Sequence, residues 1–542
     1  MVERGAPGLE LARTRTEPII ARLPTAVTAF VGRTLKGPVQ RPITVTSFAE
    51  FQLVFGGLWQ PSTISYAVEQ FFEHGGGRAI IVRVANGARP PTVRLPAGNG
   101  MLRLAGVNPG SREYLRASVD YDGLPEGDAE RFNLVIQRVR STGSELIEDQ
   151  EIYRRASLRA DSAGRGLADL LLQSRLVRAV EPLPMQRPDR SAGTGGSGVG
   201  YAFSNADGDD GGPLTDYDII GSAAAGTGLF ALSAADGFNL LCIPPLSREQ
   251  DLGLSALLVA ARYCRERHAL LIVDPPGSWT TARAALDGMR SWPFRSDNAV
   301  MYYPRVQALD RLRGRLETFA SCGAVAGMLA RADEMSPVWS AESQEMTLRP
   351  GTQPAIAVAD ADRLRLAQVG INTLSVPRTA LGGGGMHVDA RTLAAGGSGF
   401  SDWRYLAARR LGLWISASIE RGTRWVLLEQ NGPATWARAR SLVETFLEVL
   451  AEQGAFAGAG EGDRHFVICD ERVNRTDTIA DGRVNLLFGF ATGRPGEFDA
   501  WLVSHHPAAS RVRPVSVNRL ATSRRRVEWE IETAILKKMD YR

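Results

Sequence analysis

Two rhythms of apolar residues alternate along most of the chain. Short continuous runs read as buried strands at residues 26–33, Ile43–Val45, 79–84, 239–243, 269–273 and Ala299–Tyr303. Runs with helical spacing separate them. The first follows Ser47 through Phe48, Phe51 and Val54, with Glu50 placed to complete a capping box and Gly56-Gly57 ending it. Others cover 64–72, closed by Gly75-Gly76-Gly77, then 252–267, 280–290, 324–331 and 361–369. Strand–helix–strand alternation of this kind predicts a largely parallel sheet with helices on its faces.

Residues 86–200 read differently. Short strands at 102–104, 114–119, 132–137 and 144–153 dominate, with one helix at 166–172 and loop signals at both ends. Residues 187–218, rich in Gly, Ser and Asp, read as a mobile surface loop. Residues 401–431 hold a helix–turn–strand pattern. Trp403, Leu406, Ala407, Leu411, Trp414, Ile415 and Ile419 form an apolar face, Gly422 reads as a C-cap, and 425–428 reads as a strand before the turn Asn431-Gly432-Pro433. The fold class expected is α/β within an α+β multidomain chain. Its core is assembled from N-terminal, central and C-terminal segments around a mostly β insertion.

Composition adds limits. At 542 residues the chain is too long for one simple core. A net charge of +4 gives no support to general nucleic-acid binding. Cys242, Cys264, Cys322 and Cys469 are scattered without a C-x-x-C pair, which argues for buried free thiols rather than zinc or disulfides. The N-terminus lacks the apolar core of a signal peptide, and no run approaches a membrane span; 252–264, the longest, fits a buried helix.

Candidate chemistry is thin. Asp207-Gly208-Asp209-Asp210-Gly211-Gly212 superficially resembles a calcium loop but has Asp218 where position twelve needs Glu, so a solvated acidic loop is expected. The glycine runs 75–77 and 382–385 lack a phosphate-binding context. Asp274-Pro275-Pro276 ends a strand, where α/β enzymes place catalytic groups, yet no His, Lys or Ser partner is identifiable. His505-His506 reads as a surface pair. Catalytic, cofactor-binding and metal residues are therefore expected to be none.

Near the C-terminus, Val527-Glu528-Trp529-Glu530-Ile531-Glu532 alternates apolar and acidic residues behind Arg524-Arg525-Arg526. A tethered strand of this pattern pairs either with a neighbour's sheet or with its own; a short helix through Lys537 is a further option.

A collinear set of motifs runs along most of the chain. It begins with Pro7-Gly8, Thr28-Ala29-Phe30-Val31-Gly32-Arg33, Val45-Thr46-Ser47-Phe48, Phe55-Gly56-Gly57, Gly76-Gly77-Arg78-Ala79 and Val82-Arg83-Val84. It continues through Phe132-Asn133-Leu134-Val135, Asp274-Pro275-Pro276, Tyr302-Tyr303-Pro304, Gly370-Ile371-Asn372 and Trp403-Arg404-Tyr405, and closes at Pro495-Gly496-Glu497-Phe498.

Together these motifs resemble the contractile tail sheath proteins of phage tails and phage-tail-like injection particles, and the resemblance implies a structural subunit, not an enzyme. It would polymerise as stacked hexameric rings around an inner tube and contract to drive the tube through a target envelope. Implied segments are a linking arm (1–25), the first part of the core (26–85), an outer domain (86–200), a central α/β domain (201–385), a C-terminal sheath domain (386–504) and a second arm (505–542). Pro7, Gly8, Leu9, Leu11, Val527, Trp529 and Ile531 are the implied inter-subunit arm residues. Arg409 and Arg410 are candidates for the inner-tube contact, with simple bracing of their helix as the alternative. Partners implied are further copies of the chain, the inner tube protein, and baseplate and cap proteins, without nucleic acid, cofactor or membrane insertion. Assembly is expected in the bacterial cytoplasm. The alternatives are an α/β hydrolase or nucleotide-binding enzyme centred on Asp274, or a non-elongating baseplate or adaptor protein.

Overall fold

The computed structural model describes residues 19–141, 143–159, 166–191, 200–340, 347–374, 390–395, 402–458, 463–495 and 497–515. The chain divides into two compact units, Thr25–Arg409 and the paired segments Met1–Pro24 and Arg410–Arg542.

In the first unit, a seven-stranded sheet is the largest among the described residues. Its order is Ile371–Thr373, Ala299–Tyr303, Leu270–Val273, Leu240–Cys242, Thr28–Gly32, Ala79–Arg83, Ile43–Val45. All neighbours run parallel except the last pair. The strands are apolar on both faces because both faces are covered. Ala29, Val31, Leu241 and Leu271 point toward helices Leu254–Glu266 and Ala282–Ser291. Phe30, one residue out of phase, points the other way and meets Phe71 edge-on at 5.5 Å. Helix Thr63–Glu73 and helix Cys322–Met335 cover that side. These two helices approach closely at Gly323 and Gly327, where an added Cβ would lie 2.0 Å from the Ala67 carbonyl and 2.4 Å from that of Phe71.

The sequence pattern located these elements to within a few residues. Ser47 accepts from the Glu50 amide at 3.2 Å, and the Glu50 carboxylate accepts from the Thr46 amide at 2.8 Å, so the capping box closes one residue further out than expected. Helix Leu254–Glu266 is not fully buried: Leu254 and Leu258 leave one stripe in solvent.

Strands between residues 92 and 203 form two antiparallel sheets, Thr92–Ala97 with Gly100–Gly106 and Val177–Val180, and Ala202–Phe203 with Tyr114–Asp120, Arg131–Val139 and Ile147–Ser157. They share an apolar core that includes Leu102, Leu115, Phe132 and Leu167. Two buried charges tie this region to the parallel sheet. Arg83 donates to the carbonyls of Gly37 at 2.6 Å and Pro109 at 2.8 Å. Lys36 pairs with Glu148 at 2.6 Å, both largely shielded.

A small sheet on this unit had no reading from the sequence. Strand Val306–Asp310 pairs with Arg315–Phe319 and with Thr352–Pro354 to form a small sheet lying on helix Thr63–Glu73. Phe319 stacks on Tyr66 at 4.9 Å.

The second unit is built on an antiparallel sheet in the order His465–Ile468, Val484–Phe490, Asp499–His505, Arg511–Val515. Helix Pro433–Glu452 packs on it. Phe488, Phe490 and Trp501 stack across neighbouring strands.

Two local expectations fail here. Residues 425–428 are not a strand: Arg424–Leu428 is a 3-10 helix in which only Val426 is buried. Thr423 continues the preceding helical turn, its carbonyl accepting from the Val426 amide at 3.2 Å and its hydroxyl donating to the Ile419 carbonyl at 2.6 Å. With one buried position in five, no two-residue alternation can form. Gly422, the last residue of helix Leu406–Gly422, serves close approach rather than a left-handed cap. An added Cβ would lie 2.8 Å from Ile20.

Candidate functional site

The residues that resemblance marks for function fall in three places. The arm residues Pro7, Gly8, Leu9, Leu11, Val527, Trp529 and Ile531 lie outside the described residues. Their attachment points are described, and both belong to the second unit. Before Pro24, Ile20 is buried against Gly422, the Leu23 carbonyl accepts from Trp414 Nε1 at 2.7 Å, and Arg22 donates to Gln453 at 2.7 Å. A segment distant in sequence is thereby seated on the helix and held by main-chain as well as side-chain bonds. At the other end, strand Arg511–Val515 forms one border of the antiparallel sheet and leads into residues 516–542.

The turn before that border strand is fixed by a buried histidine. His505 is 1% exposed. Its Nε2 lies 2.8 Å from the Thr423 hydroxyl, and its Nδ1 lies 2.8 Å from that of Ser510. Since Thr423 donates its hydroxyl proton to Ile419, Nε2 is the protonated nitrogen and Nδ1 accepts from Ser510. Burial lowers its pKa to about 4, so the ring is neutral at neutral pH. The surface His505-His506 pair expected from sequence is corrected accordingly. The signal missed was the apolar strand in which His505 ends.

Arg409 and Arg410 are both buried, at 5% and 6% exposure. Arg409 donates to Asn298 and pairs with Asp297 at 3.4 Å, and its guanidinium lies 5.1 Å from the Trp403 ring centre. These contacts brace the beginning of the helix from within the chain.

Asp274 occupies the strand end where a catalytic group was considered. Its Oδ1 accepts from the amides of Ser321 at 2.7 Å and Cys322 at 2.8 Å, at the first turn of helix Cys322–Met335. The carboxylate sits where that helix needs negative charge. Burial raises its pKa, opposed by Cys322 and Arg305. A narrow cleft beside it is lined by Leu252, Leu271, Val273, Pro276 and Trp292 and by Asp251, which is paired with Arg305, and the Ser321 hydroxyl donates to Asp274 Oδ1 at 3.3 Å. Among the described residues, no cluster of His, Cys, Asp and Glu has the arrangement of a metal site. All four cysteines are free and buried.

The acidic loop 207–212 is a clasp rather than a solvated loop. Asp207 accepts from the amide and hydroxyl of Thr92. Asp210 accepts from the amide of Ser111 at 2.8 Å and its hydroxyl at 2.6 Å, while Arg33 donates to the Asp210 and Gly211 carbonyls. Burial pushes the Asp207 carboxyl up, but its two bonds from Thr92 prevail and leave it below its ordinary value. Residues 200–218 are held by these bonds, contrary to the mobile loop expected.

No protein-family model matches the chain, and no curated protein does. Solved structures do match its fold. The sheath tail protein Lin1278 from Listeria innocua superposes with a TM-score of 0.56 at 12% identity, covering 88% of this chain and 94% of its own. The sheath complex of the extracellular contractile injection system PVC, in its contracted state, gives 0.52 at 16%, covering 92% and 97%. The sheath tail protein DSY3957 from Desulfitobacterium hafniense gives 0.50 at 13%, covering 91% and 98%. Over nearly its whole described length, this chain is folded like a contractile sheath protein.

Proposed function

We propose that this chain is the structural subunit of a contractile sheath, polymerising as stacked hexameric rings around an inner tube and contracting to drive that tube through a target envelope. The likeness to sheath proteins along almost the entire length of both chains carries the reading. It is reinforced by the structural use of Asp274, His505 and the acidic loop 207–212. Work would come from repacking of heterologous interfaces between two states, not from a reaction at the subunit.

In this reading the region 86–200 is an outer domain, and residues 1–25 and 505–542 are arms that pair with neighbouring subunits through the parts beyond their own-chain contacts at Ile20, Arg22 and Leu23 and at Arg511–Val515. Arm strands would add to a neighbour's sheet through main-chain bonds, with Val527, Trp529 and Ile531 setting register. Arg409 and Arg410 are the candidates for the inner tube, but a tube contact by Arg409 requires its Asp297 pair to open. Charge reversal at Arg410 would then impair tube-templated assembly. Baseplate and cap proteins complete the partners, and assembly takes place in the bacterial cytoplasm.

Electron microscopy of the purified chain tests the reading. Long striated tubes are expected. A compact oligomer with activity would favour the enzyme alternative, and rings that never elongate would favour a baseplate or adaptor protein.

A further inference from the structure

The end of helix Leu406–Gly422 is met by two segments far apart in the sequence, both belonging to the same compact unit as the helix. The first is 19–23, which forms neither helix nor strand, so its contacts alone set its course. Ile20 is buried over Gly422, where an added Cβ would sit 2.8 Å from its Cγ1 and 3.2 Å from its Cα and Cβ. Glycine is the residue that admits so close an approach. Trp414 Nε1, earlier on the same helix, holds the Leu23 carbonyl at 2.7 Å, and Gln453, at the end of helix Pro433–Glu452, accepts from Arg22 at 2.7 Å.

The next residue holds the second segment. Thr423 is fully buried. Its amide and its hydroxyl both donate to the Ile419 carbonyl, at 3.0 and 2.6 Å, and its hydroxyl oxygen accepts from His505 Nε2 at 2.8 Å. His505 Nδ1 accepts from Ser510, the residue before border strand Arg511–Val515. The same turn is clamped by Glu420, which accepts from Arg424 at 2.8 and 3.0 Å. Gly422 and Thr423, adjacent in the chain, thus carry the points where both terminal segments join this unit. Residues 1–18 precede the first point and 516–542 follow the second.

We propose that this helix end is a seat that aims both arms, with Gly422 the positioning residue for the first and Thr423, acting through His505, for the second. A strand that must find a neighbour's sheet loses less conformational freedom on pairing when its base is already held. Two bases held on one turn also keep a constant relation to each other, which raises the effective concentration of each arm at its own target when the other has bound. The inference rests on the sheath reading and deepens it by naming residues outside the arms on which their pairing depends.

Paired spin labels test it in the full chain, whose own cysteines are all buried. Nitroxides are attached at Ile19→Cys and Arg513→Cys, both exposed, and their separation is read by double electron–electron resonance below the concentration at which tubes form. The unaltered seat should give one narrow distance. Gly422→Ala, which drives Ile20 off, should widen the distribution at least ~2-fold, as a locally released segment does. In the unlabelled chain it should raise the concentration needed for tubes at least ~10-fold, the cost of setting a preorganised segment free. Adding Ile20→Ala removes the clashing Cγ1 and should restore both readings. Thr423→Val, which deletes the hydroxyl that holds His505, should widen the distribution from the other side.

A broad distribution with the unaltered seat, a narrow one after Gly422→Ala, or a double variant that stays broad would overturn the seat. Broadening with normal tubes would overturn the aiming of the arms and leave the sheath reading standing. Failure of the unaltered chain to form tubes would overturn the sheath reading and the aiming together.

Discussion

The two main sheets of this protein end in different ways. The parallel sheet of the first unit tapers at both borders into three-residue strands, Ile371–Thr373 and Ile43–Val45, and its central strands are buried on both faces. The antiparallel sheet of the second unit has equally buried central strands, but one border is Arg511–Val515, five residues long and mostly exposed. No described strand pairs with its outer edge. Short borders protect a sheet against addition of foreign strands, whereas a long exposed one invites it. One sheet is thus finished within the subunit, and the other has a border suited to accept or continue pairing.

The largest expected effect lies in the finished sheet. Phe71→Ala removes the ring that meets Phe30 and should cost ~3–5 kcal/mol in urea unfolding. Arg513→Ala, on the open border, should cost less than ~1 kcal/mol, as an exposed substitution does. Similar losses at the two positions would break the comparison.

Next is the buried ion pair between Arg248 and Asp310, 2.7 Å apart, beneath the hairpin at 306–319. Asp310→Ala leaves Arg248 shielded without its main carboxylate and should cost ~3 kcal/mol by the same measurement. Glu73→Ala, removing an exposed partner of Arg311, should stay within ~0.5 kcal/mol.

Titration probes both units, since each holds one buried neutral histidine. His74 donates from Nδ1 to the Gln70 carbonyl at 2.8 Å, and burial lowers its pKa to about 4, as it does for His505. An unfolded imidazole binds its proton near pH 6.5, so the unfolded state takes up more protons between 6.5 and 4. The stability contribution is complete above pH 6.5 and is lost on acidification toward 4, by up to ~3 kcal/mol per histidine. Glu69 has the opposite sign. Burial, helped by Glu73 and opposed by Arg311, raises it to about 7, so its contribution is complete below pH 4.5 and lost as pH rises through 7. His505→Gln should flatten the acid limb of a urea-midpoint profile, and Glu69→Gln should flatten the neutral limb. Unchanged limbs would contradict the buried-neutral assignments.

The smallest expected effect on stability belongs to the tail. Removing residues 516–542 should leave the urea midpoint unchanged while abolishing assembly, detected as a monomer boundary in sedimentation velocity. Normal tubes from this truncation would show that the open border is not used.

Much of this architecture was legible in the sequence because burial on both faces produces continuous apolar runs, as at Leu270–Val273 and Ala299–Tyr303. The hairpin at 306–319 was not. Its strands alternate Leu with polar residues but direct Asp310 and Glu317 inward, onto Arg248 and Tyr66, and the leucines outward. Pattern reading assumes the reverse. Arg424–Leu428 misled for a related reason: a β-like composition, WVLL, occupies a turn that Thr423 sets from its preceding helix. His505 and Asp274 show the same limit for sites. Their roles come from partners 82 and 47 residues away, Thr423 and Ser321, which no local spacing reveals.

The central claim is contraction, and electron cryo-microscopy of particles purified through a tag on this chain tests it most directly. The account predicts two populations in which this chain forms an outer cylinder, long and narrow or short and wide, around an inner tube of constant length. A cylinder of one length in every particle, before and after exposure to target envelopes, would contradict it.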